Sequence, residues 1–190
     1  LLVLETLFAV GLALAVAYVR GSLTDRLVMI VCTVGLSISI LVYIIVFQYF
    51  CAYKLGWFPV QGWGNRFREN LLVFSLLPIL IALTVSIAPN LRLYRTFFLD
   101  EINQDYVRTA RAKGLSENRI MWVHVLRNAS IPIITHLMAG LPGLLLGAFL
   151  IERFFSIPGI GREVILAVER SDFPVIKALT VYVAFATVAS

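Results

Sequence analysis

What most constrains this chain is a series of apolar stretches, at 1–19, 27–50, 71–91, 131–151 and 175–190, set apart by polar segments. A helix rises 1.5 Å per residue, so a 19-residue run covers ~28 Å, close to the thickness of a bilayer's hydrocarbon core. Lipid offers the backbone no hydrogen-bond partner, so such runs have to be helices that satisfy their own amides. With 60% hydrophobic residues, 14% charged and a mean hydropathy of +0.91, a soluble domain of 190 residues is excluded. The expected fold is all-α, a polytopic transmembrane bundle over residues 1–190. Because the chain starts and stops inside apolar runs, it is expected to lack its first helix and the end of its last one.

The polar segments orient the spans. Residues 92–128 hold seven basic side chains (Arg92, Arg95, Arg108, Arg111, Lys113, Arg119, Arg127) against four acidic ones (Asp100, Glu101, Asp105, Glu117). Segment 152–174 has three arginines against four acids. The positive-inside rule therefore puts 92–128 and the short loop 20–26 in the cytoplasm, and loops 51–70 and 152–174 outside. Clustering of the +5 charge between spans speaks against nucleic-acid binding. Cys32 and Cys51 have no metal-ligand spacing to His124 or His136 and read as inert thiols. Lys54, Lys113 and Lys177 are the only lysines, and none sits in a G-x-x-x-x-G-K-[ST] loop. With no G-x-S-x-G or H-E-x-x-H either, the chain is not expected to be an enzyme or to bind ATP or a metal itself.

Several residues within the spans could carry function. Glu5 lies so near the start of its run that an interfacial position is favoured over a carboxylate at work in lipid. Thr33 and Ser37 share a helix face, and packing or a backbone bond is favoured over a polar path. Pro78 and Pro89 are expected to bend the third span; Pro132 starts the fourth and Pro142 interrupts it. Gly140, Gly143 and Gly147 form a small-residue stripe that lets another backbone approach closely. His136, one turn into that span, reads as a neutral histidine bonded to a neighbour rather than a proton relay.

The polar segment 92–128 reads as two short helices. Asp105 is placed to cap the first, Arg108, Arg111 and Lys113 favour its C-terminal half, and Gly114 supplies a left-handed stop. Ser116 caps the second, with Glu117 in its first turn and Ile120, Met121, Val123 and Leu126 on an apolar face reaching Pro132. The first helix has about two turns, too few to stand alone. Tyr106, Val107 and Ala110 share one side, which suits insertion into a partner's groove. An amphipathic loop resting on lipid headgroups fits the same residues, and physics alone leaves both open.

The run YVRTARAKGL at 106–115, H-x-L-R-N at 124–128 and Pro132 resemble the loop motif of membrane subunits of ATP-binding-cassette importers. The common motif is E-A-A-x-x-x-G followed by I-x-L-P. Here Ala110 and Gly114 match, while Arg108 and Thr109 replace the glutamate and the first alanine, and His124, Leu126 and Arg127 occupy the I-x-L-P positions, as in the peptide branch. LGWFP at 55–59, FFSIPGIGR at 154–162 and DFPVI at 172–176 are similar to the B-type permease of dipeptide, oligopeptide and nickel importers. The resemblance implies a type I importer permease in the bacterial inner membrane, crossing it several times and forming half of a translocation path for di- or oligopeptides, or for nickel or another small solute. It implies as partners a C-type permease, two cytoplasmic ATPase subunits carrying ATP and Mg, and an external substrate-binding protein. An ATPase-coupling loop would comprise Asp105, Tyr106, Val107, Arg108, Ala110, Arg111, Ala112, Lys113, Gly114 and Leu115. Ser116, Glu117, His124, Leu126, Arg127 and Asn128 would form its second helix. An ion-coupled secondary transporter is the rival of a different class.

Overall fold

The computed structural model describes residues 2–64, 70–146 and 149–189. The described residues are helical with turns and contain no strand. The first helix, α1 (Leu2–Tyr18), is almost wholly apolar. It buries Ala9, Ala13, Leu14 and Ala17 on one face and exposes Val3, Leu4, Leu7 and Phe8 on the other. Exposed apolar surface on that scale suits lipid or a partner, not water.

After a turn at Gly21 (φ +78°), α2 (Leu23–Ser37) starts with the Ser22 hydroxyl accepting from the Asp25 amide at 3.2 Å. Thr33 and Ser37 donate to the carbonyls of Met29 and Thr33, so both spend their hydroxyls on their own helix. Residues 27–50, expected as one span, are divided. Ile38 turns to extended geometry and Ser39 caps α3 (Ile40–Phe47), its hydroxyl accepting from the Leu41 amide. A π-helical stretch, Gln48–Lys54, follows.

A second π-helical turn, Asn70–Phe74, leads into α4 (Leu76–Ile102). At 27 residues α4 is long and apolar enough to cross a membrane, and α2 with the run Ile40–Lys54 passes the same test when taken together. Pro89 lies inside α4. Pro78 is in the opening turn, where a missing N–H costs no helical bond, so it starts the helix and does not bend it.

The expected coupling segment comprises α5 (Asp105–Ala112), one helical turn α6 (Glu117–Arg119) and a π-helical stretch, Ile120–Val125. Helix α7 (Leu126–Leu146) follows without a break, so Pro132 lies within continuous helix and not at the start of a separate span. An added Cβ at Gly140 or Gly143 would meet nothing within 4 Å, so among the described residues neither glycine serves a close backbone approach. Gly147 lies outside the described residues.

The remaining helices are α8 (Phe149–Phe155), α9 (Ile160–Glu169) and α10 (Phe173–Ala189). The FFSIPGIGR stretch joins α8 to α9. Ser156 takes a left-handed turn, and the Glu152 carboxylate accepts the Arg162 amide at 2.9 Å in the opening turn of α9. A side chain at Gly159 or Gly161 would collide with Glu152 or Phe149.

The chain packs as two compact units: Leu1–Ile38 with Leu83–His136, and Ser39–Ala82 with Leu137–Ser190. The whole coupling segment belongs to the first.

Candidate functional site

The core under the coupling segment begins on α4. Tyr94, Phe98 and Ile102 repeat every four residues, so they share one face, and each is at most 3% exposed. Val107 and Ala110 of α5, Ile120, Met121 and Val125 of the π-helical stretch, and Ala129 of α7 are buried as well. Helix α5 lies against that π-helical stretch. An eight-residue helix is marginal in isolation; here its apolar side is covered by the chain itself.

That packing corrects the side of α5 offered to a partner. Val107 is 0% exposed and Ala110 6%, so neither can enter another protein's groove. Tyr106 turns inward too. Its hydroxyl donates to Glu101 Oε2 at 2.7 Å. Burial, followed by the Glu101 carboxylate, pushes the phenol above its ordinary pKa, so it stays a proton donor across the physiological range. Asp105, Arg108, Thr109, Arg111, Ala112 and Lys113 are exposed.

The caps differ in part from expectation. Gln104, not Asp105, occupies the N-cap, without a side-chain cap bond. Asp105 is in the first turn, where the dipole favours its charge, and its carboxylate pairs with Arg108 Nη1 at 3.2 Å. Both ends of that pair are well exposed, so it adds little stability. Ser116 is at the N-cap of α6, again without a side-chain cap bond.

The stop is as expected. Gly114 sits at φ +76°. Its amide donates to the Arg111 carbonyl at 2.9 Å and the Leu115 amide to that of Ala110 at 3.3 Å, the two bonds that close a helix through a left-handed residue. Across this turn the Arg111 guanidinium grips Glu117 with Nε on Oε1 at 2.7 Å and Nη2 on Oε2 at 3.1 Å. The grip holds the Glu117 carboxyl below the usual carboxylate range. Of the other expected residues, His124, Leu126 and Asn128 are half-buried and Arg127 is exposed.

The structure adds residues that sequence reasoning passed over. The Asp25 carboxylate receives Arg95 Nε and Nη2, both at 2.8 Å, and the Gly21 amide at 3.0 Å. Its side chain is 6% exposed, and the hydrogen bond from Arg95 holds its pKa below the usual value. Arg20 reaches Asn103 Oδ1 at 3.4 Å. The turn 20–25 is thereby tied to α4 just above the coupling segment, beside a cavity of about 350 Å³ lined by Tyr18, Arg20, Arg111 and Glu117 among others. Seventy residues separate Asp25 from Arg95, and no local pattern announces the pair.

Residues 105–128 thus pack on their own chain through one side of α5 and show a polar side outward. The profile of the family described as "binding-protein-dependent transport system inner membrane component" matches residues 8–190. The chain belongs to this family. It is similar to a di/tripeptide transport system permease protein of Pseudomonas aeruginosa, with 37% identity over 83% of this chain and 54% of that protein. It is 33% identical to a dipeptide transport system permease protein of Lactococcus lactis, over 95% of this chain and 57% of that one. It is also 33% identical to a glutathione transport system permease protein of Salmonella typhimurium, over 90% of this chain and 54% of that protein. The chain spans about half the length of the curated relatives it matches.

Proposed function

We propose that this chain is a permease subunit of an ATP-driven peptide importer and that it receives the ATPase movement on the outer face of α5. In this reading residues 1–190 belong to one permease domain of the bacterial inner membrane, crossing it several times. A C-type permease supplies the other half of the path, two ATPase subunits hold ATP and Mg, and an external protein delivers di- or oligopeptides. Family membership and relatives whose names specify dipeptide, di/tripeptide and glutathione transport support the substrate class.

The observation that carries the coupling role is the division of α5 into a covered side, Val107 and Ala110, and an exposed side, Asp105, Arg108, Thr109 and Ala112. The covered side makes α5 move with α4 and α7, and the exposed side is what an ATPase can push. Arg108 stands where the common motif has an acid, so its ATPase contact is expected to be a carboxylate. The test is the assembled, reconstituted complex. Arg108→Glu is expected to leave assembly intact and to cut peptide import per ATP hydrolysed at least tenfold, and a variant that couples like the wild type would refute the role.

A further inference from the structure

Three polar side chains that the coupling segment does not use meet in the first unit, one from each of three apolar helices. Glu5 of α1 accepts from Asn90 Nδ2 at 2.7 Å, and Asn90 Oδ1 lies 3.3 Å from His136 Nε2 on α7. The Tyr94 ring meets the imidazole edge-on, 5.8 Å between centroids. Chemistry fixes the direction of the bonds. A carboxylate only accepts, so Asn90 turns its nitrogen to Glu5 and its oxygen to His136. His136 therefore donates from Nε2, and in the tautomer protonated there alone Nδ1 is left as an acceptor.

Counted along the helices, Glu5 is ~20 Å from the Tyr18 end of α1 and Asn90 ~18 Å from the Ile102 end of α4, at 1.5 Å per residue. Glu5 and Asn90 are half-exposed and His136 exposed. Ionisable groups on membrane helices are costly unless they face the bundle interior or a watery path. The arginines that follow on α4 are engaged elsewhere, Arg92 with Thr33 and Arg95 with Asp25.

We propose that Glu5, Asn90 and His136 form a polar station on the translocation path that takes the protonated amino terminus of a peptide. This rests on the peptide-importer reading. An ammonium offers three donors and no acceptor, the complement of a carboxylate and an imidazole nitrogen. One carboxylate and one imidazole make too few ligands for a metal cage, and no group of metal-ligating side chains occurs among the described residues.

The test uses the full-length chain assembled with its partner subunits and saturated with loaded binding protein. Glu5→Gln keeps an acceptor for Asn90 and removes only the charge. It is expected to slow import of a free-amine tripeptide roughly tenfold, the loss of one charge-assisted hydrogen bond, while Glu5→Asp stays near the wild type. In a second measurement His136→Cys is placed in a chain with Cys32→Ala and Cys51→Ala. A cationic water-soluble thiol reagent is expected to outpace an anionic one at this position, and adding Glu5→Gln to collapse the ratio. Wild-type import by Glu5→Gln, or a thiol at 136 that neither reagent reaches, overturns the station and leaves the peptide reading standing. A wild-type complex that imports no peptide overturns both.

Discussion

Replacing Gly114 isolates the helix stop, because an added Cβ there would meet nothing within 4 Å. The cost is therefore conformational and not steric. Holding an L-residue at φ +76° costs about 1–2 kcal/mol for alanine, more for a β-branched side chain and least for asparagine. An eight-residue helix has little intrinsic stability with which to absorb that. A local cost of about 1–2 kcal/mol shifts the closed-to-open ratio of the turn by roughly 5- to 30-fold. What opens is the pair of bonds from Gly114 and Leu115, and with them the register of Arg111 against Glu117. The chain should still assemble, since Val107, Ile120 and Val125 keep their burial. The assay is peptide imported per ATP hydrolysed in reconstituted complexes, with size-exclusion profiles to confirm assembly. Coupling is expected to fall in the order Gly, Asn, Ala, Val. Equal coupling in the Asn and Val variants would refute the reasoning, because it would mean that the left-handed stop transmits nothing.

Two further outcomes concern the ion pairs. Removing one partner of Asp25–Arg95, as in Asp25→Asn or Arg95→Leu, leaves a largely buried group unpaired and is expected to cost about 3 kcal/mol, read as a lower melting temperature of the detergent-solubilised complex. The double change Asp25→Asn with Arg95→Leu should cost less than the sum of the two. Asp25 and Glu117 both have depressed folded pKa values, so their stabilisation is complete above the unfolded carboxylate range, about 3.9 to 4.3, and disappears as pH falls through the lower folded values. Melting in 1 M salt separates the pairs: the half-exposed Arg111–Glu117 grip should weaken and Asp25–Arg95 hold.

Much of the coupling segment was legible from residue order. Gly114, the position of Ser116 and the crowding of basic residues after Asp105 are local signals, and the helix between them formed as they imply. The face of α5 was not legible. Val107 and Ala110 fit a partner's groove and the chain's own π-helical stretch equally well, and only the packing of Ile120, Met121 and Val125 decides between them. The break at Ile38–Ser39 was hidden for a related reason. Ser37 and Ser39 are small polar residues tolerated inside a membrane helix, and nothing in their spacing says that Ser39 caps a new one. Glu5 and His136 were each read alone as an interfacial acid and a packed histidine. Their shared partner Asn90 lies 85 residues from one and 46 from the other, beyond the reach of any periodicity.

The proposed coupling role depends on which side of α5 meets the ATPase. In a chain with Cys32→Ala and Cys51→Ala, single cysteines at 105 to 114 can be crosslinked to the ATPase subunit within the assembled complex. Positions 105, 108, 109 and 112 are expected to crosslink, with 107 and 110 silent. Efficient crosslinks at 107 and 110 with none at 108 would contradict the account, since they would put toward the ATPase the side that the structure packs against its own spans.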